Sequence, residues 1–251
     1  RPIGARLDKL ADPADVIAKD SELWTVFNQY WELGIGLESL SDSGLDAFQQ
    51  ARLRALINEE LGWGDGGLAI SLTVSGFPQF FARMSGDPEL LKRYCQPGTN
   101  FIGCWAITEP SHGSDMLKND PADYRPPGRK PDCVAELVGD HFIINGQKSA
   151  WVSNGTIATV GTLHCSTMKD GVHVGGAIGV VPFDLPGVSK GKPLNKIGQR
   201  TLNQGEIFFD NVRVPKGYLM IGPEAYGPVR ELILSAANGS MGQVWVGAAR
   251  A

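Results

Sequence analysis

Two segments of this sequence combine residue types that could hold a planar, polar ligand. The first is CWAITEPSHGSD at 104–115, and the second is NGQKSAWVSNG at 145–155. Both contain hydroxyl side chains, glycines and a tryptophan. Hydroxyls and main-chain groups can hydrogen-bond the edge of a heterocycle, while an indole covers its face. The composition of the two segments therefore predicts a binding site to which both contribute.

The sequence lacks the compact motifs of several other kinds of site. It has no GxxxxGK[ST] phosphate loop, no GxGxxG after a strand, no HExxH and no GxSxG. Its cysteines show no CxxC pairing and no histidine at zinc-finger spacing. Phosphate-loop, Rossmann, zinc-protease and serine-hydrolase chemistry are therefore disfavoured, and we expect no metal.

Composition and charge indicate a folded globular protein. Apolar residues make up 42% of the chain, and 23 basic against 27 acidic residues give a formal charge of −4. This balance argues against a broad electrostatic surface for nucleic acid. No run of 18 uncharged apolar residues is present, and the first residues lack the apolar core of a secretory signal. We therefore expect neither a membrane span nor export.

The cysteines give a further indication of the compartment. The chain has four of them, Cys95, Cys104, Cys133 and Cys165. In a chain of this length, scattered cysteines are most simply buried thiols in a reducing compartment, with two disulfides as the alternative.

The elements that must position the two segments fall into three successive stretches. Before Gly103, apolar residues recur with helical spacing, as at Leu23 and Phe27, and Asp87-Pro88-Glu89 has the pattern of a helix start. The segment 68–84 reads as a buried helix that Pro78 could kink. About four helices predict an N-terminal α-helical bundle over residues 1–102.

After Gly103 the pattern becomes that of short β-strands. Asn145-Gly146 between HFIIN and QKSAWVS predicts a hairpin. Further strands are predicted at 158–165, 175–183, 205–210 and 212–215. We expect an antiparallel β-barrel or sandwich domain over 103–217, and a helix from about Pro223. The Pro-rich segment at 119–132 is expected to be extended and exposed.

Four ordered blocks make the sequence resemble the acyl-CoA dehydrogenase superfamily. TEPSHGSD at 108–115 is similar to the family's TEPxxGSD signature, and NGQKSAWVSNG to its NGxKxWITNG block, with Ser153 where threonine is common. KIGQR at 196–200 and FFDNVRVP at 208–215 resemble its closing strands. The resemblance covers the whole chain, because the first helices and the QVWVGAARA segment also fall where the family expects them.

The resemblance implies an α+β multidomain fold. Its parts are the helical domain at 1–102, a middle β-domain at 103–217 that binds FAD and acyl-CoA, and the start of a C-terminal helical domain at 218–251. The implied activity is that of an FAD-dependent acyl-CoA dehydrogenase, a flavoprotein oxidoreductase of fatty acid or carboxylic acid catabolism. A carboxylate removes the α-proton of the thioester while the β-hydrogen leaves as hydride to the flavin.

The resemblance also implies roles for individual residues. FAD contacts are expected from Trp105, Ile107, Thr108, Trp151, Val152 and Ser153. Ser114 is expected to contact the CoA moiety, and a contact of His112 with the acyl-CoA is a further possibility against its role as a surface turn residue. In an arbitrary strand Trp151 would more often be a core residue, but the neighbouring signature favours the flavin.

No residue of this chain is expected to be the catalytic base. Counting back from Gly247, Ala237 and Asn238 occupy positions where some family members carry the glutamate and many carry a substrate-contacting arginine. Glu109 precedes a proline and is expected to be structural. In most of the family the base lies in the part of the third domain that would follow residue 251. The two places expected for the base are therefore beyond residue 251 or on a partner chain.

The basic residues near these blocks have two interpretations. Lys148 and Arg200 are expected to be solvated or paired surface charges. The alternative is that they join the lysines at 190, 192 and 196 in a patch for the CoA phosphates.

Two classes of function follow. The first is the acyl-CoA dehydrogenase or a related oxidase, in the cytoplasm, or in the mitochondrial matrix of a eukaryote. Its expected partners are acyl-CoA, other copies of the chain in a homotetramer or dimer, and an electron-transfer flavoprotein as electron acceptor. The second is a flavin- or CoA-binding subunit of a heteromeric complex without its own activity, or a flavin monooxygenase.

Overall fold

The computed structural model describes residues 1–36, 40, 43–117 and 130–251. Its helices are α1 (Pro2–Asp8), α2 (Pro13–Val16), α3 (Leu23–Leu33), α4 (Ala47–Gly64), α5 (Gly66–Ser75), α6 (Phe77–Ser85), α7 (Pro88–Tyr94) and α8 (Pro223–Arg250). Its strands are β1 (Gly103–Ala106), β2 (Val134–Val138), β3 (His141–Ser153), β4 (Val160–Lys169), β5 (Val172–Pro182), β6 (Val188–Lys190) and β7 (Gln204–Pro215).

Helices, strands and a helix thus follow one another in the predicted order, and the fold class is confirmed as mixed α+β. The boundaries of the three domains stay predictions. Most of the Pro-rich segment at 119–132 lies outside the described residues. None of the described helices combines the length and the hydropathy that a bilayer crossing needs.

Local sequence signals account for the helix ends before Gly103. Asp46 and Gln49 form a reciprocal capping box at the start of α4. The Asp87 carboxylate accepts hydrogen bonds from the backbone N–H groups of Glu89 and Leu90, as the sequence predicted for α7. Gly34 ends α3 with a φ of 59°. The segment 68–84, which the sequence predicted as one helix, forms parts of two helices, α5 and α6. The helix is interrupted at Gly76, two residues before Pro78.

The long helix α8 lies against α4 at a very close contact. A Cβ added to Gly247 would lie 1.9 Å from the carbonyl oxygen of Glu59, and one added to Gly62 would lie 2.0 Å from that of Val244. Only glycine permits the two backbones to approach in this way. The N-terminal helices and α8 therefore form one wall above the sheet.

The seven strands form one mixed sheet with the path β1-β4-β2-β3-β7-β6, and β5 pairs with β4. The expectation of an antiparallel barrel or sandwich holds for most strand pairs, and the structure differs from it in two details. Strands β1 and β2 both run parallel to β4, pairing with successive parts of it, and the path does not close on itself. The remaining neighbours are antiparallel.

Two predicted breaks in the strands are absent. Asn145-Gly146 does not form a hairpin turn, because β3 continues from His141 to Ser153 with an irregular register between Ile144 and Gly146. Gly146 has a φ of 133°, and a Cβ there would lie 2.7 Å from the Cα of Cys133. Similarly, β7 runs through Asp210-Asn211, which the sequence predicted as a turn.

The cysteines are free thiols, as expected. Cys104, Cys133 and Cys165 are buried in the core of the sheet, and Cys95 is half-buried. Burial raises the pKa of the Cys133 thiol to about 12. These side chains therefore act as small apolar groups.

Candidate functional site

A cavity of about 620 Å³ opens between the N-terminal helices, α8 and the ends of β1 and β3. Its wall is mainly apolar and includes Trp105 and Ser153 from the two signature segments. The remaining lining residues are Tyr30, Ile35, Gly36, Leu40, Arg54, Ile57, Asn58, Leu61, Ile70, Thr73, Val74, Phe77, Phe80, Phe81, Leu232, Ile233, Ala236, Ala237, Asn238, Ser240 and Met241. The volume suits an organic ligand with a ring system.

Trp105 presents an ordered ring to this cavity. The Phe77 ring packs edge-on against it, with centroids 5.3 Å apart and an interplanar angle of 85°. The indole Nε1–H also donates a hydrogen bond of 2.7 Å to Nε2 of His164. A ring contact and a hydrogen bond thus hold the indole in place.

The Ser153 hydroxyl is oriented by a chain of two side chains. Lys196 Nζ donates to the Gln204 Oε1 at 2.9 Å, and it also donates to the Leu202 carbonyl. Since an ammonium group only donates, the amide nitrogen of Gln204 must face the other way, and it lies 3.3 Å from Ser153 Oγ. Ser153 therefore accepts from Gln204 and has its own hydrogen available for a ligand. Burial lowers the pKa of Lys196 to about 8.

Asn154 connects the parts that meet at the cavity. Its amide nitrogen donates to the carbonyl oxygens of Ser71 in α5 and Gly103 in β1, and its oxygen accepts from the Ser71 hydroxyl. Its φ is 64°, which asparagine tolerates better than most residues. The asparagine of the second block thus fixes the end of β3 against the helices.

Five of the residues predicted to bind the cofactor or substrate do not line the cavity. Ile107 and Val152 are buried in the core, and Thr108 is half-buried with its carbonyl oxygen accepting from the backbone N–H of Ser149. Trp151 is 61% exposed next to Ser153 and could cover a ligand there. Ser114 is exposed at the start of a 3₁₀ turn over Ser114–Leu117. Their contacts with FAD or CoA stay predictions.

Glu109 and Lys148 form a buried ion pair behind the signature. Lys148 Nζ lies 2.5 Å from Glu109 Oε1 and 3.1 Å from the Ile107 carbonyl oxygen, and both side chains are fully buried. The same carboxylate accepts from the backbone N–H groups of Asp132 and Cys133. The prediction that Lys148 is a surface charge is wrong, because β3 turns this residue inward to the carboxylate. Glu109 is structural, as its position before Pro110 indicated.

The other basic residues are engaged with backbone carbonyl groups. Arg200 bonds to the carbonyl oxygens of Asp8, Leu10 and Ala11, and Lys190 bonds to that of Ala158. Together with the burial of Lys148, these contacts remove most of the support for a phosphate patch at this position. Arg200 is half-buried, and besides these carbonyl groups it donates to Asn195 Oδ1.

The cavity wall on α8 carries the two residues that the sequence comparison placed at the family's glutamate and arginine positions. Ala237 and Asn238 both line the cavity, and Glu231, on the same helix, is exposed outside the cavity wall. Among the described lining residues there is no carboxylate. A group that removes a proton inside this cavity is therefore not supplied by the described wall.

One group of side chains near the signature has the composition of a cation site. Glu109, His112 and Asp132 can bring three ligand atoms within 4.8 Å of one another. Both Glu109 oxygens already accept hydrogen bonds, and His112 Nδ1 lies 2.8 Å from Asp115 Oδ2. The hydrogen bonds of the group explain its geometry without a metal.

Sequence reasoning missed His164, Gln204, Arg54 and Tyr30. His164 and Gln204 act on the signature residues from neighbouring strands, and their contacts depend on strand register. Tyr30 and Arg54 come from α3 and α4, and burial raises the pKa of Tyr30 to about 12. No motif marks such residues in a single sequence.

Comparison with known proteins agrees with the resemblance. A family model described as "Acyl-CoA dehydrogenase, middle domain" matches residues 104–212. The glutaryl-CoA dehydrogenase of Desulfococcus multivorans is 31% identical over 222 residues, covering 84% of this chain and 54% of that protein. The cyclohex-1-ene-1-carbonyl-CoA dehydrogenase of Geobacter metallireducens is 32% identical over 176 residues, covering 69% and 43%.

The fold is shared with solved structures. A crystal structure of glutaryl-CoA dehydrogenase from Mycobacterium smegmatis matches with a TM-score of 0.70 and 26% identity, over 99% of this chain and 60% of that one. This chain spans about half the length of the curated relatives that it matches. The family model, the relatives and the common fold show that the chain belongs to the acyl-CoA dehydrogenase superfamily.

Proposed function

We propose that this protein is an FAD-dependent acyl-CoA dehydrogenase. In this proposal the flavin ring of FAD and the acyl group of the substrate meet in the cavity described above. The observation that carries the proposal is that Trp105 and Ser153, from segments about forty residues apart in sequence, line one cavity together with Ala237 of α8. These are the residues that the family signature and its C-terminal helix would bring to the flavin and the thioester.

The residues present fit the ring system of FAD. The cavity of about 620 Å³ lies within the range of about 300–1,000 Å³ that is usual for organic ligands. It offers an aromatic wall at Trp105, an oriented hydroxyl at Ser153 and, at its rim, the exposed indole of Trp151. FAD would supply a hydride acceptor for the β-hydrogen of the substrate.

The chain's own residues bind and orient in this proposal. Gln204 holds the Ser153 hydroxyl so that its hydrogen is available to an acceptor atom at the ring edge. The apolar helices around the cavity exclude water, which strengthens hydrogen bonds to a developing enolate. The α-proton is removed by a carboxylate that the described wall of the cavity does not contain.

The acyl-CoA substrate, an electron-transfer flavoprotein as acceptor and assembly into a homotetramer or dimer belong to the same proposal. A cytoplasmic or mitochondrial-matrix location would give such an enzyme access to acyl-CoA. The mainly apolar wall favours a hydrocarbon acyl group.

A second candidate function is a flavin- and CoA-binding subunit without its own activity. The observation in its favour is that the described lining residues, Ala237 and Asn238 of α8 among them, include no carboxylate. The two functions differ in one respect, because only the dehydrogenase reduces its flavin with substrate.

The test is purification of the protein with excess FAD, followed by anaerobic addition of straight-chain, branched and dicarboxylic acyl-CoA thioesters. The dehydrogenase is expected to retain FAD and to lose the absorbance of oxidised flavin with one thioester class. Trp151→Ala should weaken FAD retention, and Trp245→Ala, an exposed tryptophan outside the cavity, should not. FAD binding without reduction by any thioester would favour the second candidate, and failure to bind FAD would contradict both.

A further inference from the structure

The indole N–H of Trp105 is directed into the protein and not into the cavity. It donates to Nε2 of His164, with the two ring centroids 5.9 Å apart and the planes at 51°. Trp105 is half-buried, whereas His164 is fully buried. The cavity wall is thus linked to a residue that cannot itself contact a ligand in the cavity.

Strand pairing places the two residues on the same face of the sheet. Trp105 pairs with Thr162 in the parallel β1–β4 ladder, and His164 lies two positions further along β4. Because alternate residues of a strand point to the same side, His164 is the diagonal neighbour of Trp105. The register fixes the hydrogen bond, and no loop is involved.

The donor also fixes the tautomer of His164. An indole N–H can only donate, so Nε2 must accept and the ring proton must be on Nδ1. Burial, with the positive charges of Lys148 and Arg230, lowers the pKa of His164 well below its usual value. The imidazole therefore stays neutral and remains an acceptor at ordinary pH.

A histidine at position 164 has an energetic cost that an apolar side chain at the same place would not have. The Nδ1 atom of His164 is buried without a hydrogen-bond partner in the part of the chain that the structure describes. A leucine at the same place would avoid a buried, unsatisfied N–H group. Among the described residues, the hydrogen bond to Trp105 is the one that this side chain makes.

We propose that His164 is a positioning residue, which through its hydrogen bond sets the plane of the Trp105 indole and thereby the fit of the cavity wall to a planar ring ligand. The second half of this inference rests on the proposed function, with FAD as the ligand. The first half concerns the protein alone.

The first test measures the indole directly. In protein with ¹⁵N-labelled tryptophan, the Trp105 Nε1–H signal is assigned among the six tryptophans by its loss in Trp105→Phe. We expect His164→Leu to shift that signal strongly upfield, while His164→Gln, whose side-chain oxygen can reach the Nε2 position, should keep most of the downfield shift. Thr162→Val, a buried neighbour on β4 whose hydroxyl has no hydrogen-bond partner among the described residues, is the matched control and should leave it unchanged.

The second test measures FAD affinity and the absorbance spectrum of bound FAD. Loss of one hydrogen bond that orders the wall should weaken FAD binding about five- to tenfold in His164→Leu and alter the flavin absorbance, with rescue in His164→Gln. Thr162→Val should bind FAD like the unmodified protein. If His164→Leu does not fold, His164→Asn replaces it, because asparagine is too short to reach the indole.

The outcomes are distinguishable from those of the proposed function. An unmoved Trp105 signal in a folded variant without the acceptor would overturn the role of His164, whatever the cofactor does. A moved signal with unchanged FAD affinity and spectrum would overturn the link to the ligand. If the unmodified protein binds no FAD, the proposed function fails, while the indole measurement still decides whether His164 positions Trp105.

Discussion

At the scale of single residues, buried side-chain contacts hold the TEPSHGSD segment in place. Glu109 accepts hydrogen bonds from the backbone N–H groups of Asp132 and Cys133 and pairs with Lys148, so its role is that of a buried structural carboxylate. Sequence reasoning predicted the structural role of Glu109 from Pro110. It could not predict Lys148, because a lysine is usually exposed and only the fold shows which carboxylate it meets.

The first prediction concerns this buried pair. Lys148→Met should lower the free energy of unfolding by about 3–5 kcal/mol, because it leaves the Glu109 charge buried without its cation. The double variant with Glu109→Gln should lose less than the sum of the single variants. Urea unfolding of the four proteins measures the coupling, and strictly additive effects would contradict a direct interaction of the pair.

The second prediction concerns pH and His164. Its pKa is lowered in the folded state, so below its usual value of about 6.5 the unfolded chain binds a proton that the folded chain does not. Stability should therefore fall with decreasing pH below about 6.5, by up to about 1.4 kcal/mol per pH unit from this residue. Urea midpoints at several pH values should show a shallower decline in His164→Gln. Equal slopes in both proteins would show that His164 is not buried in its neutral form.

At the scale of elements, the cavity depends on how closely α8 approaches α4. The contact of Gly247 with Glu59 and of Gly62 with Val244 sets this distance. The sequence predicted both helices, and the QVWVGAARA segment matched the family, but helix periodicity does not give the distance between two helices. The breaks predicted at Asn145-Gly146 and Asp210-Asn211 failed for a similar reason, since β3 and β7 pair with each other on both sides of these positions, and a shift of register between Ile144 and Gly146 accommodates them within the strands.

The third prediction tests that contact. Gly247→Ala should destabilise the protein by about 1–3 kcal/mol and weaken FAD binding, because the added methyl group must move α8 away from α4. Gly239→Ala on the same helix is the control, since nothing lies within 4 Å of its added Cβ. It should be neutral or stabilising by up to about 1 kcal/mol. Thermal unfolding and FAD titration measure both effects, and equal behaviour of the two variants would contradict the close packing.

At the scale of the whole molecule, the candidate site belongs to no single part of the chain. The N-terminal helices supply most of the apolar wall, β1 and β3 supply Trp105 and Ser153, and α8 closes the cavity with Ala237 and Asn238. The order of these parts could be predicted from periodicity and from the family resemblance. The lack of a carboxylate among the described lining residues became visible only when the fold brought those residues together.

We infer that this cavity is where a thioester reduces FAD. The most direct measurement is the rate of flavin reduction in a single anaerobic turnover with the best acyl-CoA, compared between Ala237→Phe and Ser235→Phe. Ala237 lines the cavity, and Ser235 is exposed on the same helix outside it. We predict that Ala237→Phe slows reduction by at least about a hundredfold, as misplacement of reacting groups typically does, while Ser235→Phe reduces its flavin at the normal rate. A normal rate in Ala237→Phe, with FAD content unchanged, would place the reaction elsewhere and contradict the claim.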